Sequence, residues 1–456
     1  MSTPGLSGDE SVVVVGAALA GLRAAETLRQ EGFAGSITIV GDESHPPYDR
    51  PPLSKEVLAG AWSPEKAMLA DEDRLSGLGV RWVLGRRAVA LDLGGLDGTR
   101  VDRGGVMVGP RRGTRTRGRV ELNDGEVLDA DAVVLSCGAS PRRLPGTEGL
   151  TPADGVVTLR TLDDSVALRA AITATEATRV VVVGAGFIGA EVASTCAGLG
   201  CRVTVLETLE IPLATVVGPM LGVHCASLYA AHGVDLKTGV SVAGIAKGDH
   251  TKGDHSKGDH TKGGGIGGLG SGPLTVRLSD GSDVVADVVV IGIGVVPNTQ
   301  WLAGSGLTIG NGVVCDERLF AHDRVVAAGD VANWLWVRDG VAEQTRIEHW
   351  EIAAQGGMAA ARALLAGRDA ATPFTPVPYV WSDQFGIRFQ IIGTPQGDDD
   401  VELVNGSLSE GKFVAVFGRA GRLRAVMSIG RPRLLMGYRP LLERGASWDE
   451  ALAHGV

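Results

Sequence analysis

The 456-residue sequence predicts an α/β fold of two Rossmann-like units followed by a C-terminal α+β domain. Three observations predict it. A β-run that leads into a glycine-rich turn and then a helical pattern occurs twice, once near each end of the first 200 residues. Each copy is followed by a short meander and a fully apolar strand. From about Tyr379 the texture changes to alternating polar and apolar residues, as in I-R-F-Q-I-I-G and F-V-A-V-F-G, which reads as a separate antiparallel sheet.

The first copy places a strand over S-V-V-V-V from Ser11 to Val15 and a turn over G-A-A-L-A-G from Gly16 to Gly21. A helix from Leu22 to Gln30 and the strand I-T-I-V from Ile37 to Val40 complete it. A meander from Val120 to Val127 turns at Asn123-Asp124-Gly125, ahead of the apolar strand Ala132 to Leu135. The second copy runs R-V-V-V-V from Arg179 to Val183, then G-A-G-F-I-G from Gly184 to Gly189. Its helix reaches about Gly198, and the strand R-V-T-V-L-E ends at Glu207. Its meander, Leu274 to Val285, turns at Ser279-Asp280-Gly281 and leads to the apolar strand Val288 to Ile293. The domains expected are 1–155 with 297–372, then 156–296 inserted between, then 373–456.

Two segments interrupt this order. Lys247 to Lys262 repeats K-G-D-H-T/S and runs into a glycine tract, with no apolar period to offset the entropy of ordering it. It reads as a disordered insertion over 247–272. Its His250, His255 and His260 read as part of a solvated linker, since no rigid frame fixes a metal geometry, and no metal site is expected. Leu93 to Arg119 carries Arg100, Arg103, Arg111, Arg112, Arg115, Arg117 and Arg119 among glycines and reads as a solvated basic loop.

Composition bounds the function. Lys plus Arg total 43 against 53 Asp plus Glu, a net charge of −10, which disfavours nonspecific grip on nucleic acid or an anionic membrane. No run approaches the roughly 18 unbroken apolar residues of a membrane span, and Met1 to Glu10 lacks a signal pattern, so a cytoplasmic address is expected. Five cysteines in so long a chain do not form a secreted disulfide framework.

The glycine turns carry the chemistry. In a dinucleotide fold the first glycine allows the tight turn, the second admits a pyrophosphate to the backbone, and the third lets helix pack on strand. Gly184, Gly186 and Gly189 fill all three places, and Glu207 stands where a carboxylate accepts both ribose hydroxyls. Thr208 and Leu209 follow it, with no Arg to meet a 2′-phosphate, so NADH is expected rather than NADPH. In the first copy Ala18 replaces the middle glycine, while Gly16 and Gly21 are kept. Two such units in one chain suggest a resident cofactor and a visiting one, and flavin with nicotinamide is the commonest pair.

Four motifs then carry a family resemblance: P-P-Y-D-R-P-P-L-S-K from Pro46 to Lys55, A-A-G-D-V-A from Ala327 to Ala332, R-I-E-H-W-E-I-A-A-Q-G from Arg346 to Gly356, and P-Y-V-W-S-D-Q-F from Pro378 to Phe385. In order and over nearly the whole chain, they resemble the FAD-dependent NADH:ferredoxin reductases, the group of putidaredoxin reductase, rubredoxin reductase and the aromatic-ring dioxygenase reductases. The resemblance implies that Gly16, Ala20 and Gly21 face the FAD pyrophosphate and that Asp42 or Glu43 holds the adenosine ribose. It places Arg50 and Lys55 along the flavin, the Ala88 backbone at the adenine, Asp330 on the ribityl chain and Trp350 against the isoalloxazine. Ser140 stands where many relatives carry Arg. Glu191 resembles the family glutamate near the nicotinamide that pairs with the flavin-side lysine, here Lys55. Gly294 resembles a backbone contact to NADH, and Trp381 lines the electron exit.

Taken singly, Lys55 reads as a surface helix residue, Asp330 as a helix cap and Trp350 and Trp381 as ordinary aromatics; the joint pattern overrides these readings. The partner implied is a ferredoxin-type iron–sulfur protein that feeds an oxygenase such as a haem monooxygenase. The resemblance names neither the acceptor's cluster type nor an oligomeric state. An NADH oxidase or disulfide reductase is the first rival, but such reductases need a thiol beside the flavin, and Gly41 to Gly60 contains none. Cys196 and Cys201 have disulfide-reductase-like spacing but fall at the end of the NADH-unit helix and read as structural. An NADH-sensing binding protein resembling apoptosis-inducing factor is the second rival, and the acidic charge disfavours its nucleic-acid role.

Overall fold

A computed structural model describes residues 5–94, 118–247, 272–338 and 340–455, with the backbone alone at 100–101 and 107–108. The repeat insertion at 248–271, with its three histidines, and Arg103, Arg111, Arg112, Arg115 and Arg117 of the basic loop lie outside the described residues. The chain divides into two compact units. The first comprises Met1–Asp49, Met68–Ser140 and Val296–Val380; the second comprises Arg50–Ala67, Pro141–Val295 and Trp381–Val456.

At the centre of the first unit is a six-stranded sheet in the order Phe320–His322, Val325–Ala327, Ala132–Leu135, Ser11–Val15, Ser36–Val40, Arg81–Val83. Ser11–Val15 pairs in parallel with both of its neighbours. Its four valines are buried on both faces, the reason this strand reads as an unbroken apolar run rather than an alternating one. The helix Leu19–Gln30 begins three residues before the expected start, because only Gly16 needs a left-handed backbone and Leu22 N–H already bonds Ala18 O. This helix crosses Trp350–Ala366 so closely that a side chain at Gly357 would collide with the Ala20 carbonyl. The expected meander is present as Gly118–Leu122 and Val127–Ala130. Ala88–Asp92 adds a third strand that the sequence reading did not include.

A five-stranded parallel sheet organises the second unit, in the order Val156–Thr158, Val288–Ile291, Arg179–Val183, Arg202–Leu206, Asp235–Lys237. The meander Val242–Lys247, Leu274–Leu278, Asp283–Ala286 stands beside it. The C-terminal segment forms the expected antiparallel sheet, ordered Tyr379–Gln384, Ile387–Gly393, Arg422–Ile429, Lys412–Arg419, Asp400–Ser407. Lys412–Arg419 departs from alternation: Phe413 to Phe417 are all fully buried. Both of its faces are covered, since the Trp448 ring leaves no room for a side chain at Gly418 and the His224 ring stands edge-on to Phe413 at 5.7 Å.

Among the described residues, one helix, Ala214–Ala231, is long and apolar enough by length and composition to cross a membrane, with mean hydropathy 1.3. The sequence reading expected no unbroken apolar run of that length, and Thr215, His224 and Ser227 interrupt this one. The helix is interrupted at Gly218, whose φ of 77° is not helical, just before Pro219, and its Val217, Leu221, Cys225 and Tyr229 are buried inside the unit.

Candidate active site

In the first unit, side chains at Gly16 and Gly21 would drive into the carbonyls of Ser136 and Gly16 respectively, and Gly16 has a φ of 122°. Both positions therefore require glycine. Ala18 is the N-cap at an extended φ of −104°, where a methyl group fits. No side chain caps the helix and no acid sits in its first turn, so its leading N–H groups stay available to an anion. Asp42 is exposed just past the second strand, while Glu43 beside it accepts from the Tyr48 hydroxyl. Ala88 is buried at the start of its strand, paired with Leu122. Ser140 Oγ donates to Asn298 Oδ1 at 2.7 Å.

Asp330 lies in the turn Gly329–Val331, its carbonyl bonded by Arg346 Nη1 at 3.2 Å. Trp350 opens the long helix, its indole N–H donating to Asp49 Oδ1 at 2.6 Å. His349 before it was not singled out from the sequence. Its Nδ1 is shut off from solvent without a hydrogen-bond partner among the described residues, and burial pushes the ring down to about 4 against the opposing pull of Asp330. An orphaned ring nitrogen, a carboxylate and a glycine turn before an uncapped helix fit a large polar anionic cofactor such as FAD.

The second unit repeats the turn without the substitution. Gly184 has a φ of 102°, and a side chain there would meet Gly292 O; one at Gly189 would meet Gly184 O. Gly186 differs: its φ is −69° and nothing lies within 4 Å of where its side chain would stand. The conformation does not need glycine here, but the open space does suit an approaching pyrophosphate. Glu207 is fixed by Ala185 N–H on Oε2 at 2.8 Å and by Leu209 N–H and the Thr208 hydroxyl on Oε1 at 2.9 and 3.2 Å, leaving a lone pair on Oε2 for a ribose hydroxyl. Gly294 has a φ of 91°, and its carbonyl is bonded by Arg142 N–H at 2.9 Å.

Glu191, on the helix Phe187–Gly198, is 3% exposed and accepts four hydrogen bonds. Oε2 takes the Ser54 hydroxyl at 2.5 Å and the Lys55 ammonium at 3.1 Å. Oε1 takes the Ser382 hydroxyl at 2.7 Å and the Asp383 N–H at 3.1 Å. The Glu191–Lys55 pair expected from the motifs is present, and the structure adds Ser54 and Ser382 to it. Thr195 Oγ1 donates to Ser54 O at 2.7 Å, tying the 3-10 turn Pro51–Ser54 to the same helix. Arg50 is engaged by the Arg160 carbonyl, and Trp381 is half-buried on Tyr379–Gln384.

All five cysteines are free thiols. Cys196 and Cys201 hydrogen-bond to one another; that bond, together with burial, pushes Cys196 up, and it draws Cys201 down against the opposing effect of burial. The pair lies at the far end of the Glu191 helix.

Residues 10–357 match the pyridine nucleotide-disulphide oxidoreductase family, and residues 379–454 match the Reductase C-terminal family. The chain is 31% identical over 438 residues to putidaredoxin reductase CamA of Pseudomonas putida, covering 94% of this chain and 90% of that protein. It is 33% identical over 443 residues to the ferredoxin reductase component of chlorobenzene dioxygenase from Cupriavidus sp. (strain PS12), covering 96% and 94%. Among solved structures, the covalent putidaredoxin reductase–putidaredoxin complex superposes with a TM-score of 0.82 at 28% identity, covering 98% of this chain and 96% of that one. The resemblance carried by the four motifs is borne out over almost the full length, and the chain belongs to the pyridine nucleotide-disulphide oxidoreductase family, among the FAD- and NADH-dependent ferredoxin reductases that carry the Reductase C-terminal domain.

Proposed function

We propose that this protein passes electrons from NADH through FAD to a small ferredoxin-type iron–sulfur protein that serves an oxygenase. The observation that carries the reading is the content of the segment Arg50–Ala67. Where a disulfide reductase needs a thiol, this chain presents Ser54 and Lys55 bonded to a buried carboxylate. FAD, when bound, accepts two electrons from NADH as a hydride and releases them singly, which suits it to join a two-electron donor to a one-electron acceptor.

The chain's own residues bind, orient and shield. Gly16, Ala20 and Gly21 admit the FAD pyrophosphate to the helix N-terminus, Asp42 takes the ribose in preference to the already bonded Glu43, and the Ala88 backbone meets the adenine. Asp330 holds the ribityl chain and Trp350, steadied by Asp49, faces the ring system, with Arg50 along the flavin. Gly184, Gly186 and Gly189 receive the NADH pyrophosphate, Glu207 its ribose and Gly294 its nicotinamide side. Lys55 presents its charge toward the flavin and Glu191 orients it; Trp381 forms the electron exit. A cytoplasmic address goes with this reading.

Anaerobic stopped-flow on the purified protein tests it. The protein should be yellow, bleach rapidly with NADH and far more slowly with NADPH, and recover its colour when an oxidised ferredoxin is added. Reduced protein that persists with NAD against a panel of ferredoxins would instead mark a binding role and overturn the proposal.

A further inference from the structure

Ser382 and Gln384 of the W-S-D-Q motif are each 1% exposed and point to the buried side of their strand, while Trp381 and Asp383 point to the other. Asp383 there pairs with Arg388 at 2.6 Å. Gln384 Nε2 donates to Ser382 Oγ at 3.0 Å. A hydroxyl has one proton and two lone pairs, so with Gln384 on a lone pair the Ser382 proton is directed to Glu191 Oε1. On the opposite oxygen the Ser54 hydroxyl does the same. The terminal torsion of a glutamate is soft; the Asp383 N–H and the Lys55 ammonium hold one oxygen apiece at 3.1 Å, and the shorter serine bonds on the same two oxygens narrow the freedom that those longer bonds leave.

We propose that Ser54 and Ser382, with Gln384 behind Ser382, are positioning residues that clamp the Glu191 carboxylate by one serine on each oxygen and so hold the Lys55 ammonium in the orientation the NADH-to-flavin hydride transfer uses. The inference rests on the proposed placement of Glu191 and Lys55 beside nicotinamide and flavin. It makes the C-terminal domain a contributor to the NADH side of the reaction, through a residue adjacent to the proposed electron exit.

The test compares holoenzymes of wild type, Ser382→Ala, Ser382→Thr and Glu191→Gln. Two quantities are read: the limiting rate of flavin reduction at saturating NADH, and the Kd for NAD+ from calorimetric titration of the oxidised holoenzyme. Ser382→Ala should lower the limiting rate about tenfold while the Kd stays within about twofold, because the clamp orients a group without supplying affinity. Ser382→Thr, which keeps the hydroxyl, should restore most of the rate, and Glu191→Gln should lose at least as much as Ser382→Ala. A wild-type rate in Ser382→Ala beside a slow Glu191→Gln overturns the clamp alone. Wild-type rates in both overturn the placement of Glu191 and the clamp with it. Equal losses in the Ala and Thr variants, or a Kd weakened as much as the rate, mark a merely structural serine and also overturn it. Should Ser382→Ala fail to hold flavin, Ser54→Ala, which leaves the other oxygen to Lys55 alone, is measured in the same way with the same outcomes. No ferredoxin enters these measurements, so failure of the acceptor assignment stays separate.

Discussion

His349 and Glu207 show how far single side chains can be read. Burial holds the His349 ring neutral, with a folded-state value of about 4 against 6.5 for the free side chain. As pH falls below 6.5 the unfolded chain binds a proton that the folded chain refuses, so the stability present above 6.5 is lost progressively toward 4. Urea midpoints at pH 7 and 4.5 should show the wild type losing about 2 kcal/mol more than His349→Asn over that interval. Glu207 was legible in the sequence because its place at the end of a strand is a local feature. Glu207→Gln should lower kcat/KM for NADH by about tenfold or more and narrow the preference over NADPH, since the amide offers one acceptor oxygen in place of two charged ones. Steady-state kinetics with both nucleotides checks this. His349, Ser54, Ser382 and Gln384 were not legible as site residues. Each is an ordinary polar residue in the chain, and its surroundings come only from folding: Glu191 beside the two serines, Ser382 beside Gln384, Asp330 beside His349.

At the scale of elements, the two β-turn-α units were read to within three residues, because strand, turn and helix are consecutive and each signal is local. The strand Ala88–Asp92 was missed because its partner Gly118–Leu122 follows after 25 intervening residues, across the arginine-rich loop, and pairing at that range leaves no local pattern. The glycine turns give a prediction that separates folding from binding. Gly189→Ala adds a methyl against the Gly184 carbonyl and should destabilise the protein by about 1–3 kcal/mol by forcing strand and helix apart. Gly186→Ala adds its methyl to open space at a φ any residue adopts, so it should leave stability within about 0.5 kcal/mol yet raise the NADH KM several-fold. Ala18 supports the contrast: the first unit already carries a methyl at the corresponding place without disturbing its turn. Chemical denaturation and NADH titration of the two variants resolve the two effects, and equal stability losses would defeat the distinction.

For the whole molecule, the fold class was legible along the chain, whereas the assembly of distant segments was not. Arg50–Ala67, Pro141–Val295 and Trp381–Val456 form one compact unit, and Glu191 is where all three meet, through Lys55 from the first and Ser382 from the last. Nothing near any of these residues in sequence points to the others, so only the family motifs foresaw the pair with Lys55, and nothing foresaw Ser382. In the reading proposed above, the two half-reactions divide between neighbours on one strand. Trp381 and Ser382 are adjacent, but strand alternation turns one toward the outer side and the other toward Glu191. If Trp381 is the exit, Trp381→Ala should slow reduction of a ferredoxin by about tenfold or more, as loss of an aromatic anchor at a contact does, while leaving bleaching by NADH at the wild-type rate. Ser382→Ala should do the reverse. Stopped-flow with and without ferredoxin reads both rates from each protein, and an effect of Trp381→Ala confined to the NADH step would assign that tryptophan to the donor side instead.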